Sequence, residues 1–309
     1  MARKGPIQTH AEYLATRAMF ALLGGLPRSA SLSLGRVLSR AAFRILGGRL
    51  RSGIRSLEIA FPDMEPSERE RILRASVENI GRTVVEFAEF EPGCAEGAKA
   101  VVEFDFGSDE FQAYRKAKSE GRGVVMTTAH IGNWEVLLSG FALQYEPIYF
   151  MARELDNPLI DGMFADRRAK FGNRQFYKSD SAKEVLKALR VGESVGVLPD
   201  VNVLPNEGIF VPFFGVPACT TSGVARLAMK ANALIFPMFA IWEEARKKYI
   251  VHSGNPIEPA NSGDKESDIV VTTAAFTAEI EQIVRRFPEQ WLWIHRRWKT
   301  RPPGEKELY

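Results

Sequence analysis

The stretch GVVMTTAHIGNWEVLLSGFALQY, residues 123–145, holds a histidine, His130, and an acid five positions on, Glu135. An imidazole titrates near neutrality and can take a proton from an attacking group, and a carboxylate can orient it. Whether the two meet depends on the chain between and around them. Gly123 to Thr128 is a short apolar run with β-branched residues, the composition of a buried strand. Trp134 to Tyr145 carries apolar residues at roughly helical spacing. With Gly132 and Asn133 between them, the pattern predicts strand, sharp turn, helix. His130 then stands at the carboxyl end of a strand, the edge where open α/β sheets bind ligands. A tight turn would bring base and acid within hydrogen-bond reach. Each residue also has a plainer use: Asn133 is a natural N-cap, and Glu135 suits the positive end of a helix dipole.

Other polar residues fall at the same expected edge. Pro147–Met151 reads as a strand with Arg153 just past it, and Glu193–Leu198 as a strand ending in Pro199–Asp200. Asn157–Pro158 opens a helix that closes on Arg167, Arg168 and Lys170, where cations complement the dipole. Further strands are expected at Val101–Phe106, Ile209–Phe214, Ala233–Ile241 and Lys247–His252. Further helices are expected from a Ser67/Glu70 capping box to about Glu89, over Ser108–Ser119, after Thr220-Thr221-Ser222, and over Asp268–Arg286. Gly93 and Gly97 punctuate the passage into this body. Strands alternate with helices from about residue 101, which argues an α/β sandwich. Gly121 and Gly123 precede a strand instead of following it, so they make no dinucleotide fingerprint. There is no Gly-x-Ser-x-Gly elbow and no His-Glu-x-x-His or clustered Cys/His set, so neither a serine nucleophile nor a metal is expected.

A chain of 309 residues, 45% hydrophobic, fits one large α/β domain with a small appendage. The net charge of +3 gives no case for nucleic acid, but it is unevenly spread. Residues 1–60 hold ten Lys/Arg against two carboxylates, and the remainder is mildly acidic. Residues 11–46 read as two amphipathic helices broken near Gly24–Pro27. Arginines interrupt them too often for a spanning segment, and no secretory signal is evident. Apolar faces flanked by arginines suit the plane of a membrane interface. The expected division is a basic, membrane-associating helical segment at 1–60 and an α/β domain at 61–309. The phenylalanines and prolines of 209–217 would line an apolar groove or plain core. The tail PEQWLWIHRRWKTRP, 288–302, mixes tryptophans with cations in a way that suits the headgroup level of a bilayer or an acidic partner. Cys94 and Cys219 form no disulfide framework.

Several of these pieces, in this order, resemble the bacterial lipid A biosynthesis acyltransferases, the late lauroyl- and myristoyl-transferring enzymes of the lysophospholipid acyltransferase superfamily. They are RSGIRSLEIAFP, AHIGNWE with its His-x4-acid motif, ARELDNPLID, LPD before IFVPFFG, TTSGVARLA, and PEQWLWIHRRWKTRP. The resemblance covers nearly the whole chain. It implies a mixed sheet flanked by helices, the αβα sandwich of glycerolipid acyltransferases. It also implies transfer of an acyl chain from acyl carrier protein, or acyl-CoA, to a hydroxyl of a lipid A precursor. No cofactor beyond that co-substrate is expected, and the place of work would be the cytoplasmic face of the bacterial inner membrane.

Carried onto this chain, the resemblance implies His130 as general base, with Glu135 fixing its tautomer. Arg153 and the backbone amides after His130 are candidates for the oxyanion. Asn133 and Arg168 are candidates for binding substrate, Arg168 through a phosphate or the carrier protein. Asp200 would position the acceptor or Arg153. Family members often carry a second acid or Gln after that Asp, where this chain has Val201–Asn202. The rival acceptors are another glycolipid, such as a phosphatidylinositol mannoside, or a lysophospholipid. Readings from other classes are a non-catalytic membrane-surface protein and an acyl hydrolase.

Overall fold

The computed structural model describes residues 5–45, 47–90, 95–177 and 182–309; Gly93 and Cys94 lie outside them. Among the described residues the chain opens with helices α1 (Pro6–Gly24), α2 (Arg28–Ile45), α3 (Gly47–Ala60), α4 (Pro66–Glu89) and the short α5 (Ala95–Lys99). Strands and helices then alternate as β1 (Val102–Glu103), α6 (Asp109–Ser119), β2 (Val124–Thr127), α7 (Trp134–Gln144), β3 (Tyr149–Ala152), α8 (Pro158–Ala169), β4 (Arg174–Tyr177), α9 (Ala182–Arg190) and β5 (Ser194–Val197). A hairpin of β6 (Gly208–Phe213) and β7 (Val216–Thr221) leads into α10 (Gly223–Ala231), β8 (Leu234–Glu243), β9 (Lys248–Ser253) and α11 (Lys265–Arg286).

The main sheet has the order β1-β9-β8-β2-β5-β3-β4, parallel throughout except for the antiparallel pair β8–β9. Every residue of β2 is buried, and all of β8 except Glu243, as expected of strands covered on both faces. Their side chains part at a period of two. Val125, Val195 and Ile235 enter a core shared with α9, α10 and α11. Val124, Met126 and Phe236 enter a second core with Phe111, Tyr114 and Phe141. Each such side chain contributes roughly 1.5–3 kcal/mol on burial. This is the α/β sandwich the pattern predicts, with the mixed sheet flanked by helices that the resemblance implies.

Two local expectations are corrected. The capping box does not form: α4 starts at Pro66, whose ring presets the first helical turn, and Glu65 occupies the cap without a side-chain bond. The tail is not interfacial: Trp291, Trp293, Trp298 and Arg297 are all 1% exposed or less, with the indoles packed on Phe213 and Phe214. Those two phenylalanines are plain core, one of the two readings the sequence left open.

The amino-terminal helices are built unusually. The buried residues of α2 are Ser31, Gly35 and Ser39, which let its backbone approach α4 closely. A Cβ on Gly81 of α4 would lie 1.8 Å from Ser39 Oγ, and one on Gly35 would lie 2.5 Å from Val85 Cγ2. The larger residues point away: Val37 is 60% exposed and Leu38 49%, and Ile7, Leu14 and Leu22 of α1 are exposed too. Among the described residues no helix is long and apolar enough to cross a membrane.

Candidate active site

β2 and β5 are parallel neighbours in register, Thr127 opposite Val197, so the segments that follow them meet at one edge of the sheet. His130 lies on the segment after β2. Its carbonyl accepts from Leu292 N at 3.1 Å, and Gly132 N donates to Gln290 O at 3.1 Å. Gly132 has φ +56°, and a Cβ there would sit 1.8 Å from Ala240 O, so no other residue fits the turn. The Gly132 carbonyl accepts from Asn79 Nδ2 (2.9 Å) and Thr83 Oγ1 (3.1 Å) of α4. The Gln290 side chain, in turn, bonds both the N–H and the carbonyl of Trp242 on β8. The turn is thus held by α4, β8 and the tail together.

The acid that holds His130 is Asp200, not Glu135. His130 Nδ1 lies 2.8 Å from Asp200 Oδ1, and His130 N donates to Asp200 Oδ2 at 2.8 Å. Trp291 Nε1 donates to the same Oδ2 at 2.9 Å. An ionised carboxylate only accepts, so Nδ1 carries the proton and Nε2 keeps its lone pair. Burial alone would pull the imidazole's pKa down, but the charge and hydrogen bond of Asp200, aided by the charge of Glu135, outweigh it and the net shift is upward. Burial opposes ionisation of Asp200 as well, and its contacts with His130 and Trp291 prevail, holding the carboxyl below the usual range.

Glu135 is engaged elsewhere. Arg168 Nε donates to its Oε2 at 2.9 Å and Nη2 to its Oε1 at 2.6 Å, a two-point clamp between α7 and α8. The side chains are only 9% and 18% exposed. Arg168 therefore does more than complement the dipole of α8, while Arg167 beside it bonds the carbonyls of Phe87 and Ala88.

Two further expectations change. Asn133 is the N-cap of α7: its Oδ1 accepts from Glu135 N and Val136 N, and its Nδ2 donates to the Tyr249 hydroxyl. It is fully buried, which leaves no surface for a substrate. Arg153 is exposed just beyond β3 and makes no hydrogen bond or ion pair among the described residues. An oxyanion donor must be preorganised, and among the described residues no hydrogen bond or ion pair fixes this guanidinium. The amides of Gly132 and Asn133 are also unavailable, since they donate to Gln290 O and Ala240 O.

The sequence reading overlooked the residues behind Asp200. Trp291 is one. His295 Nε2 accepts from Asn202 N at 2.8 Å, and burial pushes this imidazole down to about 4, so it is a neutral acceptor. Arg297 bonds the carbonyls of Val201 and Cys219 and the Thr220 hydroxyl, and burial lowers it to about 10 against the pull of Asp200. These three line the back of the loop that carries Asp200.

The profile of the bacterial lipid A biosynthesis acyltransferases matches residues 6–300. The chain belongs to that family. It is 30% identical to the lipid A biosynthesis lauroyltransferase of Escherichia coli (strain K12), over 92% of this chain and 90% of that one. It is 28% identical to a lipid A biosynthesis acyltransferase of Haemophilus influenzae over 82% and 76% of the two chains, and 26% identical to the lipid A biosynthesis palmitoleoyltransferase of E. coli over 92% and 90%. As a member of the lipid A acyltransferase family the protein is an enzyme, and the chemistry its site must supply is acyl transfer.

Proposed function

We propose that this protein transfers a fatty acyl group from a thioester donor, acyl carrier protein or coenzyme A, to a hydroxyl of a lipid A precursor. His130 acts as general base. The hydroxyl oxygen attacks the thioester carbonyl carbon while its proton passes to His130 Nε2. The tetrahedral intermediate carries an oxyanion, which we assign to the N–H groups of Arg168 that Glu135 does not use. Collapse breaks the C–S bond, and the imidazolium returns the proton to the leaving thiolate. No acyl-enzyme forms. Asp200 fixes the tautomer and stabilises the imidazolium, and Glu135 serves by holding Arg168.

The observation that carries this reading is the 2.8 Å contact of Asp200 with His130 Nδ1. It leaves one basic nitrogen in a chain whose family performs acyl transfer. The exposed apolar residues of α1 and α2, set among arginines, support work at the cytoplasmic face of a membrane carrying anionic lipid.

The test is a transfer assay with labelled acyl donors, offering a lipid A precursor, a lysophospholipid and no acceptor. Labelled lipid A product from the native chain and none from His130→Ala is the expected result. Equal labelling of lysophospholipid would reassign the acceptor. Free fatty acid released without acceptor would make the protein a hydrolase instead.

A further inference from the structure

Apart from the His130 site, a cleft of about 200 Å³ opens between α2, α4 and the β8–β9 turn. From α2 it receives Ser29, Ser33 and Arg36, spaced at i, i+4 and i+7 and hence on one face. Arg82 comes from α4, and Trp242 and Lys247 come from the two ends of the turn. Two carboxylates also line it, but both are engaged. Glu78 accepts from Arg40 at 2.8 Å, and Glu244 accepts from Lys247 and from Trp242 Nε1.

Arg36 and Arg82 have no carboxylate within ion-pair distance among the described residues. Arg82 lies 4.6 Å over the Trp242 ring and makes one side-chain hydrogen bond, to Asn79 Oδ1 at 3.3 Å. Arg28 lies over the same indole at 5.7 Å, but its charge is met by Glu86 at 2.6 Å. Burial lowers the Arg82 pKa; the charges of Glu244 and Glu86 oppose this and the like charge of Arg36 adds to it. With no carboxylate paired directly to either, the two guanidinium groups repel each other, and a bound anion would relieve that repulsion. Planar guanidinium forks flanked by serine hydroxyls suit tetrahedral oxyanions best.

Leu32 of α2 lines the cleft as well, and Val37, one turn on from Ser33, is 60% exposed. A cleft with two unpaired guanidinium groups and apolar side chains along its α2 wall matches a ligand that is a phosphate at one end and hydrocarbon at the other. We propose that the cleft binds the phosphoryl group of an anionic membrane lipid. It is separate from the acyl-transfer site, and the proposal stands whatever His130 does. It is nonetheless coupled to the catalytic turn, because Asn79, bonded to Arg82, also donates to the Gly132 carbonyl. A lipid seated on Arg82 would fix how that turn stands against the bilayer.

The test uses the full chain and the charge-neutral variant Arg36→Gln/Arg82→Gln. Its control is Arg49→Gln/Arg51→Gln, two exposed arginines of α3 outside the cleft. Inorganic phosphate at matched ionic strength should raise the Tm of the native chain and the control, and leave the cleft variant unmoved. Cosedimentation with phosphatidylglycerol-containing vesicles, against phosphatidylcholine alone, should fall about fivefold per cleft arginine removed, and less in the control. Arg36→Gln alone, altering an exposed and unbonded side chain, should show one such step if the double variant does not fold. A phosphate effect lost in the variant with vesicle binding unchanged would overturn the lipid and leave a soluble phosphoryl compound as occupant. No phosphate effect, or equal losses in cleft and control variants, would overturn the site.

Discussion

Two acid–base pairs stand next to each other at this edge of the sheet, and they differ in what they can do. Asp200–His130 joins the ends of two adjacent parallel strands across 70 residues of sequence. Glu135–Arg168 joins the start of one helix to the end of the next across 33. The first includes an imidazole, whose charge changes near neutral pH. The second includes a guanidinium, which stays charged at any pH the protein meets. One pair can move a proton, and the other can only hold position and present a fixed field. The difference teaches that the His-x4-acid spacing marks a site without marking which atoms bond within it.

The sharpest way to break the comparison is to remove the proposed base. His130→Ala should lower acyl transfer by about 10⁴-fold, the upper range for a general base, with folding unchanged by circular dichroism. Asp200→Asn comes next, at about 10³-fold in kcat. Its pH profile carries more information than its rate. With His130 as the proposed base, activity should be lost as pH falls through a pKa that Asp200 holds above the ordinary value of about 6.5. Without the carboxylate the acid limb of kcat/KM should move to lower pH. An unmoved limb would mean that another group titrates there.

Glu135→Gln should behave in the opposite sense. It strands a mostly buried Arg168 and should cost about 3 kcal/mol in urea unfolding, while shifting the acid limb less than Asp200→Asn does. If Glu135→Gln moved that limb further than Asp200→Asn, the division of roles would be reversed. Trp291→Phe keeps an aromatic ring and removes one N–H donated to a charged acceptor. A loss of about 1.5 kcal/mol, near tenfold in kcat with KM unchanged, is expected. The smallest effect belongs to Arg153→Gln, within about 0.5 kcal/mol in stability and with little change in turnover. A large loss of activity there would restore it to the oxyanion.

Much of the framework was legible because it rests on periodicity. The buried runs at 123–128, 193–198 and 233–241 became β2, β5 and β8, and so the carboxyl edge bearing His130 and Asp200 could be placed from the sequence. The lateral order of the strands could not. That β5 lies directly beside β2 is a property of the whole sheet, and it decides that Asp200, not Glu135, reaches His130. β4 carries Arg174 and Gln175 at the sheet's edge, and α3 opens on Gly47–Gly48, so neither presented a clear pattern. The tryptophans of the tail misled for a related reason. An indole among arginines has the same composition at a bilayer surface and in a core where its N–H finds a carboxylate, and only the fold separates the two. Arg168 showed the same ambiguity, since a cation in a last helical turn gives no sign of the neighbouring helix it reaches.

The crowding around Asp200 has a kinetic consequence. Oδ1 takes the imidazole N–H, and Oδ2 takes two donors, the His130 amide and the Trp291 indole. These donors hold the carboxyl below the usual range, so the Nδ1 proton stays on the imidazole, and on the proposed mechanism only the hydrogen leaving the lipid alcohol travels. In mixtures of light and heavy water the rate should therefore fall along a straight line with deuterium fraction, not along a curve.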